Sequence, residues 1–190
     1  MDTMKWIQLA TSKDKTRFNL GSIYRAKNCL VATDGHRLHM SNGLIDATPH
    51  YLDGLDADFP DFTKIMPTGR AINSVNIFEG NIPSLKRMLA LIKGRHESNA
   101  VALEIIEPLT AYEAPIGTVS YKDKELEVKL ALQIGELVGS SFSVSLNLAY
   151  FIDAISLPTL VNLEYRSKID PILIKNFEQT AIIMPLRENK

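Results

Sequence analysis

The chain has 190 residues, a formal net charge of −1 and a hydrophobic fraction of 45%, which is enough apolar material for a packed core. A dedicated nucleic-acid-binding protein usually has a clear basic excess, so the near-neutral charge argues against tight, sequence-reading DNA binding. The single cysteine, Cys29, excludes a disulfide within the chain and a multi-cysteine metal site, and predicts a reducing, cytoplasmic location. We recognise no signal peptide and no apolar run of the ~20 residues that a membrane span requires.

Three segments have apolar residues at the helical period, and we predict helices over residues 4–11, 82–95 and 148–156. Asn81 is a suitable N-cap for the second helix, and Pro83 falls in its first turn, where a missing N–H is tolerated. Asn147 is the N-cap of the third. The chain therefore has few helices for its length.

Most other segments have the pattern of strands. Alternating apolar and polar residues are typical of a half-buried strand with one wet face. The predicted strands cover residues 18–23, 30–32, 72–78, 101–106, 117–121, 126–134, 142–146, 161–166, 172–177 and 180–184. We predict hairpin turns at residues 24–29 and 121–125, and a connecting segment at 41–58, which is rich in Asn, Gly, Asp and Pro.

The order of these elements predicts a repeated unit. From about residue 70 the chain reads as strand, helix, strands, helix and strands, and its N-terminal part reads as one further helix with a short meander. Few helices among many antiparallel strands favour an α+β fold, with the helices on one face of the sheets.

Chemistry-bearing side chains form no convincing catalytic site. His36 and His39 have a spacing that can ligate a metal, and Asp56, Asp58 and Asp61 could form a carboxylate cluster. Neither group has further ligands at a recognisable spacing, and acidic residues in a polar loop are usually just solvated. We therefore expect no enzyme activity and no cofactor, and we interpret Cys29 as a buried, inert thiol.

Basic residues are concentrated in the first and second predicted helices and just after the first. Composition alone favours an ordinary solvated helix face as the explanation, but the distribution also fits loose contact with duplex DNA. The candidate DNA-binding residues are Lys5, Lys13, Lys15, Lys86, Arg87, Lys93 and Arg95.

Four segments, in order, resemble the bacterial DNA sliding clamp family, the DNA polymerase III beta subunits. Residues 31–38, Val-Ala-Thr-Asp-Gly-His-Arg-Leu, are similar to a signature in the middle domain of that family, and residues 56–65 to the connector before the last domain. Residues 147–153 resemble a helix start in the last domain. Residues 182–187, Ile-Ile-Met-Pro-Leu-Arg, resemble the end of a clamp chain.

The resemblance implies a DNA-clamp-like arrangement of three parts. Residues 1–55 match half of a middle-type domain, 56–67 match the connector, and 68–190 match a complete last-type domain. The family's first domain and the second half of its middle domain have no counterpart. Full clamps close a ring whose helices line the hole, so the resemblance also implies a homo-oligomer.

The family binds peptide tails of DNA polymerases, clamp loaders and repair proteins between its middle and last domains. Such tails dock a Leu and an aromatic residue into apolar subsites. The family has an aromatic residue near Ser98, which this chain lacks. Carried over by resemblance, the peptide-binding residues are Leu20, Thr33, Gly35, His36, Arg37, Leu38, Pro60, Lys64, Ile65, Asn147, Tyr150, Ile169, Pro171, Ile182, Ile183, Met184, Pro185, Leu186 and Arg187.

Three hypotheses follow. The first is a reduced sliding clamp that tethers a polymerase to duplex DNA without reading its sequence. The second is a clamp-derived module that forms no ring and recruits or sequesters clamp-binding proteins. The third, and weakest, is an unrelated enzyme that uses His36 and the acidic residues at 56–61.

Overall fold

The computed structural model describes residues 2–43, 48–94, 99–110, 112–156 and 160–187. Its three α-helices confirm the predicted number within these residues. They are α1 (Thr3–Gln8), α2 (Ile82–Ile92) and α3 (Leu148–Ile155), and short 3₁₀ helices cover Lys15–Leu20, Phe62–Ile65 and Glu79–Asn81. No helix in the described part of the chain has the length and apolar character needed to cross a membrane.

The described strands form two antiparallel sheets, which confirms the predicted α+β class. The strands are β1 (Tyr24–Arg25), β2 (Cys29–Thr33), β3 (Arg37–Asn42), β4 (His50–Tyr51), β5 (Asn73–Ile77), β6 (Ala100–Ile106), β7 (Ile116–Lys122), β8 (Glu127–Leu132), β9 (Ile134–Val138), β10 (Phe142–Asn147), β11 (Val161–Tyr165), β12 (Ile172–Lys175) and β13 (Gln179–Ile183). A nine-stranded sheet has the order β4-β1-β2-β3-β13-β12-β11-β5-β9, and a four-stranded sheet has the order β10-β6-β7-β8.

The pairing of β3 with β13 joins the N-terminal part of the chain to the rest. These antiparallel strands align from Gln179 opposite Ser41 to Ile183 opposite Arg37. The nine-stranded sheet is therefore continuous across the predicted boundary between the half domain and the complete domain.

The three helices form one layer over the main hydrophobic core. Helix α1 contacts β2 and β3, α2 contacts α3 and β8, and α3 contacts β10 and β13. Trp6 of α1 donates a hydrogen bond from Nε1 to the carbonyl of Asp153 in α3, at 2.9 Å. Trp6, Leu85 and Phe151, which lie on the apolar helix faces predicted from the sequence, are fully buried in this core.

A second, smaller core lies on the opposite face of β1–β3, where aromatic residues of the connector cover the sheet. Tyr24 stacks on Phe59 with ring centroids 4.7 Å apart, and Phe62 packs edge-on against Phe59. Cys29 belongs to this cluster. Its thiol is buried, as predicted, and burial raises its pKa, which keeps it in the unreactive protonated form.

Three local predictions in the N-terminal part were wrong. The segment 18–23 is not a strand, because residues 15–20 form a 3₁₀ helix whose start is capped by Asp14, which accepts a hydrogen bond from the Thr16 amide at 2.9 Å. The first hairpin strand lies instead at Tyr24–Arg25, inside the predicted turn, and pairs with β2. The predicted connecting segment also contains a strand, because His50–Tyr51 pairs with Tyr24–Arg25.

A fourth prediction, one strand over residues 126–134, was also wrong. The chain leaves the four-stranded sheet after Leu132 and enters the nine-stranded sheet at Ile134. The side chain of Asn81 stabilises this break, accepting from the Gln133 amide at 2.7 Å and donating to the Gln133 carbonyl at 2.8 Å. Asn81 does precede α2, but its side chain makes no capping hydrogen bond because it is used here.

Candidate functional site

An apolar cavity of about 210 Å³ lies beside the junction of β3 and β13. Four segments distant in sequence form it: the end of the 3₁₀ helix at 15–20, the loop before β3, the segment 60–65 with its 3₁₀ helix, and the end of β13. The predicted peptide-binding residues that line it are Leu20, Thr33, Gly35, His36, Arg37, Pro60, Ile65, Ile182 and Met184, together with Asp61 and Phe62, which were not predicted.

Other predicted residues do not line this cavity. Ile169, Leu186 and Arg187 line a separate groove of about 200 Å³, together with Lys168. Tyr150 lines a third, polar cavity of about 480 Å³, which shares His36 and Arg37 with the apolar cavity. The carboxylate of Asp61 lies 3.5 Å from the exposed ammonium of Lys64.

The remaining predicted residues lie in a core, cap a helix or line none of the three cavities. Leu38 and Ile183 are fully buried in the cores. Asn147 caps α3 by accepting a hydrogen bond from the Tyr150 amide at 3.2 Å, as expected from the sequence. Pro171 and Pro185 are partly buried and line none of the three cavities.

The loop before β3 is held by its own polar side chains. The Asp34 carboxylate accepts hydrogen bonds from the amides of His36 and Arg37, at 2.9 and 3.1 Å. Gly35 has φ +90°, which favours glycine, and a Cβ there would lie 2.9 Å from an Arg17 guanidinium nitrogen. The signature therefore encodes a fixed turn that presents His36 at the cavity wall.

Arg37 connects this turn to α3 and to the end of α1. Its Nε lies 3.0 Å from Asp34 and its Nη1 2.5 Å from Asp153, while Nη2 donates to the Leu9 carbonyl after α1. The guanidinium also lies 4.3 Å from the ring centroid of Tyr150, a cation–π distance. Arg37 is only 9% exposed, so we assign it a mainly structural role behind the cavity wall.

Asp153 is a residue that the sequence reasoning missed. It lies one turn after Tyr150 on α3, so both side chains project from the same helix face. That i, i+3 relation was visible in the sequence, but its partner Arg37 is 116 residues away and no local pattern points to it.

The two histidines of the possible metal pair lie in different environments. His36 lines the cavity, whereas His39 is fully buried and stacked on Trp6, with ring centroids 4.2 Å apart. The Nδ1 atom of His39 lies 2.8 Å from the Trp6 carbonyl. Burial is the main cause that lowers the pKa of His39 to about 3, and the nearby charge of Arg37 adds to it.

The acidic residues of the connector point to solvent. Asp56, Asp58 and Asp61 are exposed, and a hydrogen bond from the Thr63 hydroxyl is the main cause that lowers the pKa of Asp61. Within the ranges that the structure describes, no three metal-ligating side chains cluster.

The candidate DNA-binding residues lie along the helix layer and beside it. Lys5, Lys86, Arg87 and Lys93 are exposed on or directly after α1 and α2. Lys13 and Lys15, which follow α1, are also exposed. Arg95 lies outside the described residues, as does Ser98, where the family has an aromatic residue nearby.

The fold is similar to those of bacterial DNA sliding clamps. The beta subunit of DNA polymerase from Streptococcus pyogenes matches with a TM-score of 0.80 at 16% identity, over 97% of this chain and 62% of that one. The DNA polymerase III beta subunit of Thermotoga maritima gives 0.79 at 20%, over 98% and 63%, and the Bacillus subtilis sliding clamp gives 0.79 at 16%, over 98% and 62%.

Comparisons of sequence add no relative, because no family model and no curated protein match the chain. This chain spans less than two thirds of the length of the clamps it matches. The chain therefore has the fold of a bacterial DNA sliding clamp, over about 62% of a clamp chain.

Proposed function

We propose that this chain is a clamp-like processivity factor in DNA replication, and not an enzyme, that binds peptide tails of polymerases and clamp loaders. The observation that carries the proposal is the apolar cavity beside β3 and β13, where the signature loop, the connector and the end of β13 come together. A cytoplasmic location is consistent with this role.

The energetics of the cavity suit a short peptide. Leu20, Ile65 and Met184 supply apolar walls, and burying one Leu-sized side chain contributes roughly 1.5–3 kcal/mol. Two such anchors with backbone hydrogen bonds would give a binding free energy of roughly −8 kcal/mol, which corresponds to a micromolar Kd. Met184 adds adaptability to different peptides, because its side chain is flexible and polarizable.

Met184→Asp is expected to abolish binding of a clamp-binding peptide, because it places an unpaired charge in an apolar site at a cost of several kcal/mol. Met184 is 37% exposed, so the variant should fold. Leu38→Asp is unsuitable for this purpose, because Leu38 is fully buried and its loss would disrupt the core. Isothermal titration calorimetry measures the Kd of the peptide for the variant and for the wild type.

Val138→Asp is the matched control for this experiment. Val138 is an exposed apolar residue on β9, an edge strand of the same nine-stranded sheet that lies four strands from β13, so its change should leave the peptide Kd unaltered. Wild-type affinity in a folded Met184→Asp variant would show that the cavity is not the peptide site.

The domain division and the assembly are part of the proposal. We assign residues 1–55 to a half domain, 56–67 to the connector and 68–190 to a complete domain. The packing of Phe59 and Phe62 onto β1–β3 supports a structural role for the connector.

Several copies are needed to surround duplex DNA, so the proposal includes a homo-oligomer with the helix layer facing the DNA. The alternative is a peptide-binding module that forms no ring, and a mass measurement in solution distinguishes the two.

Changing Lys86, Arg87 and Lys93 together to Glu is expected to abolish DNA binding and to leave the peptide Kd unchanged. The wild type should bind duplex DNA weakly and without sequence preference. Its affinity for DNA should fall steeply as the salt concentration rises, because the contact rests on counterion release. Fluorescence anisotropy at increasing salt concentrations measures both properties. Equal DNA affinity in the variant and the wild type would show that this helix face does not bind DNA. The peptide-binding module that forms no ring would then explain the protein better.

A further inference from the structure

Strand β8 forms an open edge of the four-stranded sheet. Within the described part of the chain it pairs with β7 on one side and with no strand on the other. The Asp123 amide donates to the Leu126 carbonyl at 2.9 Å, and hydrogen-bonded pairs recur at every second position of an antiparallel ladder. The backbone amides and carbonyls of residues 127, 129 and 131 therefore point away from β7, where a further strand can bind them.

The apolar side chains of β8 are only half covered at this edge. Val128 and Leu130 pack against the main core but are half-buried, whereas Tyr121 and Val119, their partners on β7, are 3% and 0% exposed. The two strands differ because β7 lies between two strands and β8 does not. A strand added to β8 would therefore remove apolar surface from water, which is the main favourable contribution to association.

The charges on the exposed face of β8 indicate which strand fits this edge. Lys129 forms no salt bridge to any residue that the structure describes. Glu127 lies two positions away on the same face and contacts Lys122 at 2.8 Å through one carboxylate oxygen. That salt bridge is exposed and adds little stability, and the second oxygen of Glu127 can accept from another ammonium. A strand with a glutamate and a lysine at this spacing complements a second copy of itself.

We propose that β8 pairs with β8 of a second copy, antiparallel, with Val128 opposite its own counterpart. Glu127 of each copy then lies opposite Lys129 of the other, so the two-fold contact contains two cross-strand ion pairs. A slip by two residues in either direction places lysine opposite lysine or glutamate opposite glutamate, and repulsion disfavours both registers. A lysine on an edge strand usually discourages pairing with other strands, but beside Glu127 it selects a second copy in one register.

The inference rests on the proposed function and names a contact that builds its homo-oligomer. Antiparallel neighbours in a sheet are related by a two-fold axis perpendicular to the sheet, so the helices of both copies stay on the same side. Helix α2 contacts β8, and Lys86, Arg87 and Lys93 are exposed on or directly after α2. The pairing therefore joins the two helix layers, with their basic residues, into one face.

Sedimentation velocity tests the contact with two charge-reversal variants. Lys129→Glu and Glu127→Lys each place like charges opposite each other at both ion pairs, and each alone is expected to weaken self-association at least about tenfold. An equimolar mixture of the two variants should associate as tightly as the wild type, because each lysine then lies opposite a glutamate. Lys124→Glu is the matched control, since Lys124 is exposed on the β7–β8 turn outside the paired segment, and it should associate as the wild type does.

Three results would overturn the inference: a wild type that does not self-associate, single variants that associate as the wild type does, or a mixture that associates no better than each variant alone. Peptide binding tests the proposed function separately, because no residue of β8 lines the apolar cavity and the variants should keep the wild-type peptide Kd. A wild type that pairs through β8 but binds no peptide contradicts the proposed function and leaves the contact standing.

Discussion

Replacing Arg37 with Ala is expected to lower the free energy of unfolding by about 3–5 kcal/mol, the range for breaking a buried ion pair. The change leaves Asp34 without its strongest partner, leaves Asp153 with no cation, and removes the donor to the Leu9 carbonyl. Arg37→Lys is expected to recover only part of the loss, because an ammonium cannot reproduce the guanidinium fork that serves three acceptors.

Urea unfolding followed by circular dichroism measures this effect. Arg17→Ala is the matched control, because Arg17 also contacts the signature turn, donating to the Asp34 carbonyl at 3.0 Å, but is about half exposed. Its loss should cost no more than about 1 kcal/mol, the usual upper value for a surface interaction. Similar losses in the free energy of unfolding for the Arg37 and Arg17 variants would contradict the structural role assigned to the buried Arg37.

A second large effect is expected when the pH is lowered. The pKa of His39 is about 3 in the folded chain, below its ordinary value of 6.5, chiefly because of burial. Above pH 6.5 the histidine is neutral in both states and stability is unaffected. Below it, the unfolded chain binds a proton that the folded chain does not, so stability falls by roughly 1 kcal/mol per pH unit, to a total of about 4 kcal/mol near pH 3.

His39→Phe isolates this contribution. The phenyl ring can still stack on Trp6, but it cannot titrate. The Trp6 carbonyl loses the imidazole donor and keeps the Leu9 amide at 3.2 Å, at a cost of about 0.5–1.5 kcal/mol. The variant should therefore be less stable at pH 7 and should lose less stability from pH 7 to pH 4. Carboxylates contribute equally to both proteins and cancel in the difference. A wild-type-minus-variant difference that stays constant over this range would refute the account.

The periodic elements of the fold were predictable because burial repeats along them. The face of α3 with Phe151 and Ile155 and the alternation of β11 were read correctly. The exchange of sheets at Gln133 could not be read, because β8 and β9 both keep the alternating pattern on either side of it. A change of partner strand leaves the period of the side chains unaltered.

The candidate site also contains residues that could be identified from the sequence and residues that could not. The residues around His36 and Met184 were identified only through the family resemblance, because Ile182 and Ile183 alone look like an ordinary core strand. The structure places the first of them on the cavity and the second in the core, as alternation along a strand requires. The role of Asp153 depends on a contact with Arg37 that no local pattern contains.

The pairing of β3 with β13 has a consequence for synthesis on the ribosome. Residues 37–42 leave the ribosome more than 130 residues before β13, their neighbour in the sheet. Until residues 179–184 have emerged, one wall of the cavity does not exist and one edge of β3 is unpaired. The cavity is therefore complete only at the end of this span, and β3 keeps an unpaired edge open to other strands while the residues between are translated.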